Sequence, residues 1–336
     1  MKKLIAILIY AMHTLSFFAQ EKETRTIKLG TLAPEGSVWY NALKEMGNKW
    51  ETISNNSIKV KIYPGGVAGD DIDMVRKIRI GQLQGAALTS NGMSNVTPEM
   101  EIFQMPMLLQ SDNELYYIRD KLAKKLEAKM EEQGFTVLYW TEIGWVYLFS
   151  NQKVTSPDDL KKLKQWVWSG SVIWTEALKK QGYNPVPLPS TEIHTGLTSG
   201  LIDSFSTTPV VALSYQWFGQ AKNMMDMKWA PFIGSVIIST KIWKKLPEEL
   251  KEKMIQAAKE SSENARIQIK KLEKDAIESM QKYGLKVNHV NPQERLLWQH
   301  ELEMTYPMLL EKVVPKEIYT ETDSLLKEFR SKNERK

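Results

Sequence analysis

Two β-α-β units in tandem over residues 164–209 constrain the fold more than any other stretch of the sequence. Residues 165–168 are aromatic and rich in β-forming side chains, whereas residues 172–181 repeat apolar groups at helical spacing. After a second, proline-bounded strand, Ser190 or its neighbour is placed to cap a helix that leads to a strand at 201–205. Consecutive units of this kind predict a parallel sheet, with ligands in the crevice beyond the carboxyl ends of its strands.

The amino-terminal part of the chain repeats the same alternation. Apolar patterning predicts strands at 26–32, 58–63 and 86–89, separated by amphipathic helices at 39–53 and 70–81. This β-α-β-α-β order predicts a second parallel sheet. The sequence therefore indicates the α/β class, and at 336 residues it is long enough for two domains with separate cores.

Several motifs resemble those of TRAP transporter substrate-binding proteins of the DctP family. In chain order they are LGTLAPEGSVWYNALKEM, KVKIYPGGVAGDDIDMVRKIRIGQL, FQMPML, SPDDLKKLKQWVW, NPVPLPSTEIHTGLTSGLID with the later Pro209, and KIWKKLPEEL. Each motif alone is weak, but together they run in the right order along essentially the whole mature chain. The resemblance implies a two-lobed periplasmic-binding-protein fold that closes by a hinge around a small organic solute and passes it to TRAP-type membrane permease subunits.

The resemblance also implies how the chain is divided. A helical pattern at 246–283 lacks three clean heptads, so a coiled coil is not favoured, and the family implies a long spine helix across both lobes. The pattern predicts separate strands at 136–140 and 145–150, where the resemblance implies that the backbone crosses between the lobes, and a return through residues 230–239. The predicted segments are a signal peptide at 1–19, lobe I at 20–145 plus 234–262, and lobe II at 146–233 plus 263–336.

Residues 1–19 have two lysines, an apolar run and a terminal alanine, which is typical of a cleaved secretory signal and places the protein in the periplasm. An uncleaved membrane anchor is the alternative.

Without Lys2 and Lys3 the mature chain has 43 basic and 40 acidic residues, a net charge of +3. That balance argues against a nucleic-acid partner.

Catalytic and metal-binding motifs are absent from the sequence. It has no cysteine, which excludes a thiol nucleophile or thiolate metal site, and its histidines do not stand at metal-ligand spacing. We therefore predict no enzymatic activity, no metal and no cofactor. Two alternatives stay open: a secreted enzyme with an unrecognised base and nucleophile, and a ligand-sensing subunit that is not coupled to transport.

Tryptophan is the distinctive residue type. Trp166 and Trp168 are two apart in a strand, so they share a face, and Trp174 follows closely. Burial in the core is the ordinary role of such residues, but indoles at the end of a strand also suit an apolar or aromatic ligand. The predicted ligand-binding residues are Trp39, Ser90, Asn91, Trp145, Tyr147, Trp166, Trp168, Ser190, Phe205, Thr208 and Phe232.

The resemblance further implies what this chain lacks. In most relatives the KxRV segment supplies an arginine that grips a ligand carboxylate, and Trp166 stands at that position here. Val146 replaces a second arginine of relatives that bind acidic sugars, and the asparagine before Pro209 is also replaced. We therefore expect a ligand with hydrophobic or aromatic area and one polar end, held by Ser90, Asn91, Tyr147, Thr207 or Thr208. A small carboxylate is the alternative ligand.

Overall fold

The computed structural model describes residues 24–333, so the predicted signal peptide lies outside the described residues. The chain forms two mixed β-sheets covered by helices. The strands are β1 (Arg25–Thr31), β2 (Ile58–Tyr63), β3 (Gly85–Thr89), β4 (Phe135–Trp145), β5 (Tyr147–Ser150), β6 (Lys164–Trp168), β7 (Asn184–Leu188), β8 (Ser204–Thr207), β9 (Asn223–Asp226), β10 (Pro231–Ser239) and β11 (Lys286–His289).

Helices occupy most of the connections between these strands. They are α1 (Val38–Ile53), α2 (Asp71–Arg79), α3 (Ser90–Ser94), α4 (Asp112–Glu132), α5 (Pro157–Lys161), α6 (Val172–Lys180), α7 (Ile193–Thr198), α8 (Pro209–Ser214), α9 (Thr240–Trp243), α10 (Glu248–Lys282), α11 (Pro292–Lys312) and α12 (Lys316–Asn333). Short 3-10 turns lie at Pro98–Gln104, Ser190–Glu192 and Trp217–Gly219. No helix in residues 24–333 combines the length and apolar character needed to cross a bilayer.

Each sheet is the centre of one lobe. The first sheet has the order β2-β1-β3-β10-β4, in which β1 pairs parallel with β2 and β3, and β10 runs antiparallel between β3 and β4. The second has the order β11-β9-β5-β8-β6-β7, with β6 parallel to both β7 and β8. We call these the first lobe and the second lobe. The two parallel β-α-β regions predicted from the sequence therefore lie in different sheets.

The β3–β10 pairing requires glycine at both of its ends, Gly85 opposite Ile238 and Gly234 opposite Thr89. A Cβ atom on Gly85 would lie 2.3 Å from the Ile237 carbonyl oxygen, and one on Gly234 would lie 2.4 Å from the Leu88 carbonyl oxygen. Both contacts are with backbone atoms, which cannot move aside without breaking the hydrogen bonds between β3 and β10. The two glycines thus let β10 enter the middle of the first sheet.

The chain passes from the first lobe to the second at Val146. The sequence pattern predicted separate strands at 136–140 and 145–150, but β4 continues through Trp145 because it pairs with β10 as far as Pro231. On the return, the Val146 amide donates to the Ala230 carbonyl and the Trp229 amide donates to the Val146 carbonyl, both at 2.9 Å. The two connecting strands therefore lie hydrogen-bonded side by side. The exact lobe boundaries given above stay a prediction.

Helix α10 is the long helix that the sequence predicted, and it contacts elements of both lobes. It packs on α1 and β4 of the first lobe and on α8 of the second lobe. The Trp50 indole donates to the Met254 carbonyl at 2.8 Å, and the Ser262 hydroxyl donates to the Trp140 carbonyl at 3.1 Å. Near the other end, the fully buried Met280 belongs to the core cluster that includes Phe149 and Phe205 of the second sheet.

Two local predictions in the second lobe were wrong. The strand predicted at 201–205 forms instead at Ser204–Thr207, because Gly200 adopts a positive φ of 69° and the chain turns there before it enters the sheet. The helix expected after Ser190 begins with a 3-10 turn, and Ser190 does not cap it. Its hydroxyl donates to Asp70 of the first lobe.

Candidate ligand-binding cavity

A cavity of about 540 Å³ lies between the two sheets. Residues at or just beyond the carboxyl ends of the parallel strands reach it from both lobes: Thr31, Thr89 and Ser90 from the first, and Trp168, Ser190 and Thr207 from the second. This placement follows from the topology, because carboxyl ends of parallel strands open onto one edge of a sheet. A solute held here contacts both lobes at once.

Aromatic side chains form much of the cavity wall. The Trp166 and Trp168 rings meet edge to face with centroids 4.8 Å apart, and the Trp166 indole nitrogen donates to the Leu188 carbonyl at 3.0 Å. Tyr215 stacks on Trp217 with centroids 4.8 Å apart. The aromatic lining residues are Trp39, Trp166, Trp168, Trp174, Tyr215, Trp217, Trp229 and Phe232.

No lysine, arginine, aspartate or glutamate is found among the described residues that line the cavity. Trp166 and Val146, the positions at which the resemblance implies arginine in relatives, both belong to the wall. Apart from the imidazole of the exposed residue His194, the described lining thus supplies no side chain whose positive charge could compensate a carboxylate. An ionised ligand would lose hydration there without a salt-bridge partner, which is costly.

Two polar lining residues have uncommitted oxygen atoms. The Ser90 hydroxyl and the Gln165 side-chain carbonyl are buried and lack a hydrogen-bond partner among the described residues. Two other polar lining groups are engaged within the protein: the Thr89 hydroxyl donates to Asp71, and the Tyr215 hydroxyl donates to the Leu32 carbonyl. Ser90 and Gln165 are therefore the best-placed partners for a polar ligand group.

Six of the predicted binding residues line this cavity: Trp39, Ser90, Trp166, Trp168, Ser190 and Phe232. The structure brings them together from five separate parts of the sequence. The Trp39 indole is held by a 3.1 Å hydrogen bond to the Glu142 carbonyl, so helix α1 is tied to β4 beside the crossing.

The other five predicted residues lie outside the lining. Trp145 is buried and donates to Asp112 at 2.8 Å, and Phe205 stacks on Phe149 with centroids 5.2 Å apart. Thr208 accepts from the Val211 amide and so caps α8. Tyr147 is buried beside Glu273, and burial is the main cause of its raised pKa. Asn91 is buried below Ser90, and its side-chain oxygen accepts weakly, at 3.5 Å, from Ser171 of the second lobe.

Sequence reasoning missed several lining residues. Trp217, Trp229 and Tyr215 come from irregular segments whose position depends on the tertiary structure. Gln165 was passed over because it stands in a strand next to a more prominent tryptophan. The raised proportion of aromatic residues around 215–232 was the available signal.

Hydrogen bonds join the lobes around the cavity. The Trp174 indole of α6 donates to Glu101 at 3.4 Å, and burial raises the pKa of that carboxyl group. Ser190 donates to Asp70 from both its amide and its hydroxyl, each at 2.9 Å. The structure thus shows the two walls of the cavity in contact, as in a closed binding protein.

Asp71, behind the lining residue Thr89, is expected to make stability depend on pH. Its burial, reinforced by the neighbouring Asp70 charge, raises the pKa of its carboxyl group from 3.8 to about 7, against the hydrogen bonds from Thr89. Such a group binds more protons folded than unfolded, so its contribution to stability falls as the pH rises from about 4 to 7. Asp71→Asn should therefore gain on the order of 3 kcal/mol relative to wild type between pH 4 and pH 8.

Chemical denaturation of both proteins across that pH range measures this difference. The Asn side chain keeps the shape and an acceptor for Thr89 while removing the titration. A difference between the two proteins that stays constant from pH 4 to pH 8 would contradict the assignment.

Comparison with known protein families identifies the family of this chain. Residues 29–312 match the family model DctP, described as bacterial extracellular solute-binding protein, family 7. The chain belongs to this family. As a DctP-family protein it is a solute-binding protein of the TRAP type.

Its sequence relatives include the 2,3-diketo-L-gulonate-binding periplasmic protein YiaO of Escherichia coli, which is 24% identical over 81% of this chain and 83% of the relative. They also include the C4-dicarboxylate-binding periplasmic protein DctP of Rhodobacter capsulatus, 23% identical over 78% of this chain and 80% of the relative.

Solved structures confirm the two-lobed fold of this DctP-family protein. A TRAP periplasmic solute-binding protein from Sulfurospirillum deleyianum with bound succinate superposes with a TM-score of 0.82, at 22% identity, over 89% of this chain and all but 2% of the other. The sugar-acid-binding protein DctPAm from Advenella mimigardefordensis, in complex with galactonate, gives a TM-score of 0.84 at 20% identity over 91% of this chain and 99% of the other. The predicted family and fold class are thereby confirmed.

Proposed function

We propose that this DctP-family protein captures a small neutral solute with substantial aromatic or hydrophobic surface. The observation that carries the proposal is the cavity wall, which is rich in indole rings and contains no lysine, arginine, aspartate or glutamate among the described residues. Relatives named for a dicarboxylate or a sugar acid bind anions, whereas the described part of this lining offers an anion no lysine or arginine.

The balance of energies favours a neutral ligand. Each 100 Å² of apolar ligand surface removed from water is worth about 2.5 kcal/mol. An ionised carboxylate that enters the same space without a charged partner loses hydration worth several kcal/mol. Ser90 and Gln165 provide neutral hydrogen-bonding groups for one polar end of the ligand, in agreement with their uncommitted oxygens.

Capture follows from differential affinity. Lining residues come from both lobes, so a solute makes its full set of contacts only when the lobes are together. Binding therefore shifts the population toward the closed form. The two hydrogen-bonded strand connections at Val146 and Ala230 are the natural place for the lobes to rotate.

The cellular role proposed here is that of the family. The mature protein, cleaved after Ala19, binds its solute in the periplasm and delivers it to TRAP-type permease subunits, without catalysis. The proposed lobes keep the boundaries at 145/146 and 262/263, whereas the boundary predicted at 233/234 is now proposed at 230/231, because β10 pairs within the first sheet from Pro231 onward. Two supports are the family membership and the signal-like composition of residues 1–19.

Solvent extraction and native mass spectrometry of the mature protein, purified from its own host, should identify a neutral compound with an aromatic or apolar body. In parallel, the neutral fluorophore N-phenyl-1-naphthylamine should bind the stripped protein and be displaced by the extracted compound. Millimolar succinate and D-glucuronate should leave the thermal midpoint unchanged. A co-purified dicarboxylate or sugar acid, with thermal stabilisation by the same compound, would contradict the proposal.

A further inference from the structure

We propose that Asp70 is a positioning residue of the binding site, whose carboxylate holds the cavity wall formed by Ser190 and Thr191 in place. The inference rests on the proposed function for the act of solute capture, but not for the chemical class of the solute. Asp70 itself does not line the cavity, whereas Ser190 and Thr191 do.

Asp70 is anchored in the first lobe. It is 7% exposed, its side chain accepts from the Asp71 amide at 2.9 Å, and it forms a capping box with Asp73 at the start of α2. Backbone amides in the first turn of α2 fix the direction of the carboxylate, whereas the Asp73 side chain accepts only from the Asp70 backbone amide, at 3.3 Å. These bonds do not depend on where the second lobe lies.

The same carboxylate accepts two hydrogen bonds from the second lobe. The Ser190 amide donates to Oδ2 and the Ser190 hydroxyl donates to Oδ1, each at 2.9 Å. Hydrogen bonds to an ionised acceptor are roughly twice as strong as neutral ones. The helical segment that starts at Ser190 has no side-chain cap of its own. Asp70 of the first lobe therefore accepts the hydrogen bond of its first backbone amide.

Neighbouring contacts fit this arrangement. A Cβ atom on Gly66, which has a φ of +78°, would lie 2.6 Å from the Thr191 methyl carbon, so the first lobe leaves room for Thr191 only because residue 66 is glycine. Burial, and then the charge of Asp70, raise the pKa of the lining residue Tyr215 to about 12. The loop 190–191 is thus seated on the segment 66–70 in the closed form.

The consequence concerns the rate of solute release. When the lobes separate, Asp70 keeps its bonds to α2 but loses both bonds to Ser190. These two bonds therefore stabilise the closed form selectively, and a closed form that persists longer releases its solute more slowly. The encounter with solute occurs in the open form, where the bonds are absent, so the association rate should change little.

Three variants separate this role from ordinary structural support. Asp70→Asn retains a side chain that caps α2 well but removes the charge, and Ser190→Ala removes one of the two bonds without touching α2. Asp73→Ala breaks the capping box and leaves Ser190 untouched, so it is the matched control. Because the chain has no cysteine, Lys44→Cys and Lys180→Cys on exposed helix positions of opposite lobes allow selective spin labelling.

We expect dissociation of N-phenyl-1-naphthylamine, followed by stopped-flow fluorescence, to be about tenfold faster in Asp70→Asn and several-fold faster in Ser190→Ala. The association rate and the Asp73→Ala control should stay within twofold of wild type. Spin-label distances at saturating probe should show a smaller closed fraction in Asp70→Asn. Unchanged dissociation in both variants, or an equal effect of Asp73→Ala, would overturn the inference.

The two proposals fail in different ways. If wild type does not bind the fluorophore but binds succinate, the neutral-ligand proposal fails, and the same rates are then measured with succinate as the probe. If wild type binds either probe and the Asp70 and Ser190 variants release it at the wild-type rate, the positioning role fails.

Discussion

Trp166→Arg should abolish binding of the neutral fluorophore and lower stability until a carboxylate is added. Trp166 is 5% exposed and lies against Trp168, so an arginine at this place would put a guanidinium in a cavity whose described wall has no acidic residue. An unpaired buried charge costs about 3–5 kcal/mol, and the lost indole removes ligand contact as well. The variant tests directly whether the missing arginine determines the class of ligand.

Differential scanning fluorimetry with succinate, benzoate and sodium chloride measures the outcome. Succinate or benzoate at millimolar concentration should raise the thermal midpoint of Trp166→Arg by several degrees, with no such shift in wild type or with chloride. Trp166→Phe is the control for lost volume, and it should keep weakened binding of the fluorophore. Fluorophore binding by Trp166→Arg at wild-type affinity would show that Trp166 does not contact the ligand.

Trp50→Ala should give the largest loss of stability among core substitutions that leave the cavity intact. Trp50 is fully buried between α1 and α10, meets Trp243 with centroids 6.1 Å apart, and donates to the Met254 carbonyl. Replacing a buried tryptophan with alanine costs about 3–5 kcal/mol, because the cavity left behind closes only in part. In a chain of this size that corresponds to a fall in thermal midpoint of roughly 5–10 °C.

Urea denaturation of Trp50→Ala and Trp50→Phe separates the contribution of the packed side-chain volume from that of the indole hydrogen bond. The phenylalanine variant keeps most of the volume and loses the indole donor, so it should lose roughly 1–2 kcal/mol. Both variants should bind solute with wild-type affinity at low temperature, since Trp50 lies away from the cavity lining. A loss below about 1 kcal/mol in Trp50→Ala would mean that α10 is not fixed to the first lobe at this point.

The sequence predicted those parts of the fold that local patterns determine. Strand β2 was predicted at 58–63, where it forms, and the long helix predicted at 246–283 spans Glu248–Lys282. Apolar residues at strand or helix spacing fix such elements with little help from the rest of the chain. The division between β4 and β5 was misplaced, because Trp145 is assigned to the first sheet by its pairing with Pro231, 86 residues later.

The candidate site was predictable in part for the same reason. Trp168 and Ser190 could be placed near a cavity because they end or follow parallel strands, and Trp166 because it shares a strand face with Trp168. Trp229 and Trp217 reach the same cavity from irregular segments, which have no periodic signal. The contact between Asp70 and Ser190 joins residues 120 positions apart, and only the packing of the two lobes brings them together.

The uncharged cavity wall has a consequence for the energetics of uptake. A dicarboxylate carries two negative charges that offset those of any cations crossing with it, whereas a neutral cargo offsets none. For a permease driven by cations, every such ion would then move its full charge through the membrane, and a potential of 100 mV would contribute about 2.3 kcal/mol per ion. Accumulation of this solute would accordingly respond to the membrane voltage more steeply than accumulation of a dianion driven by the same number of ions.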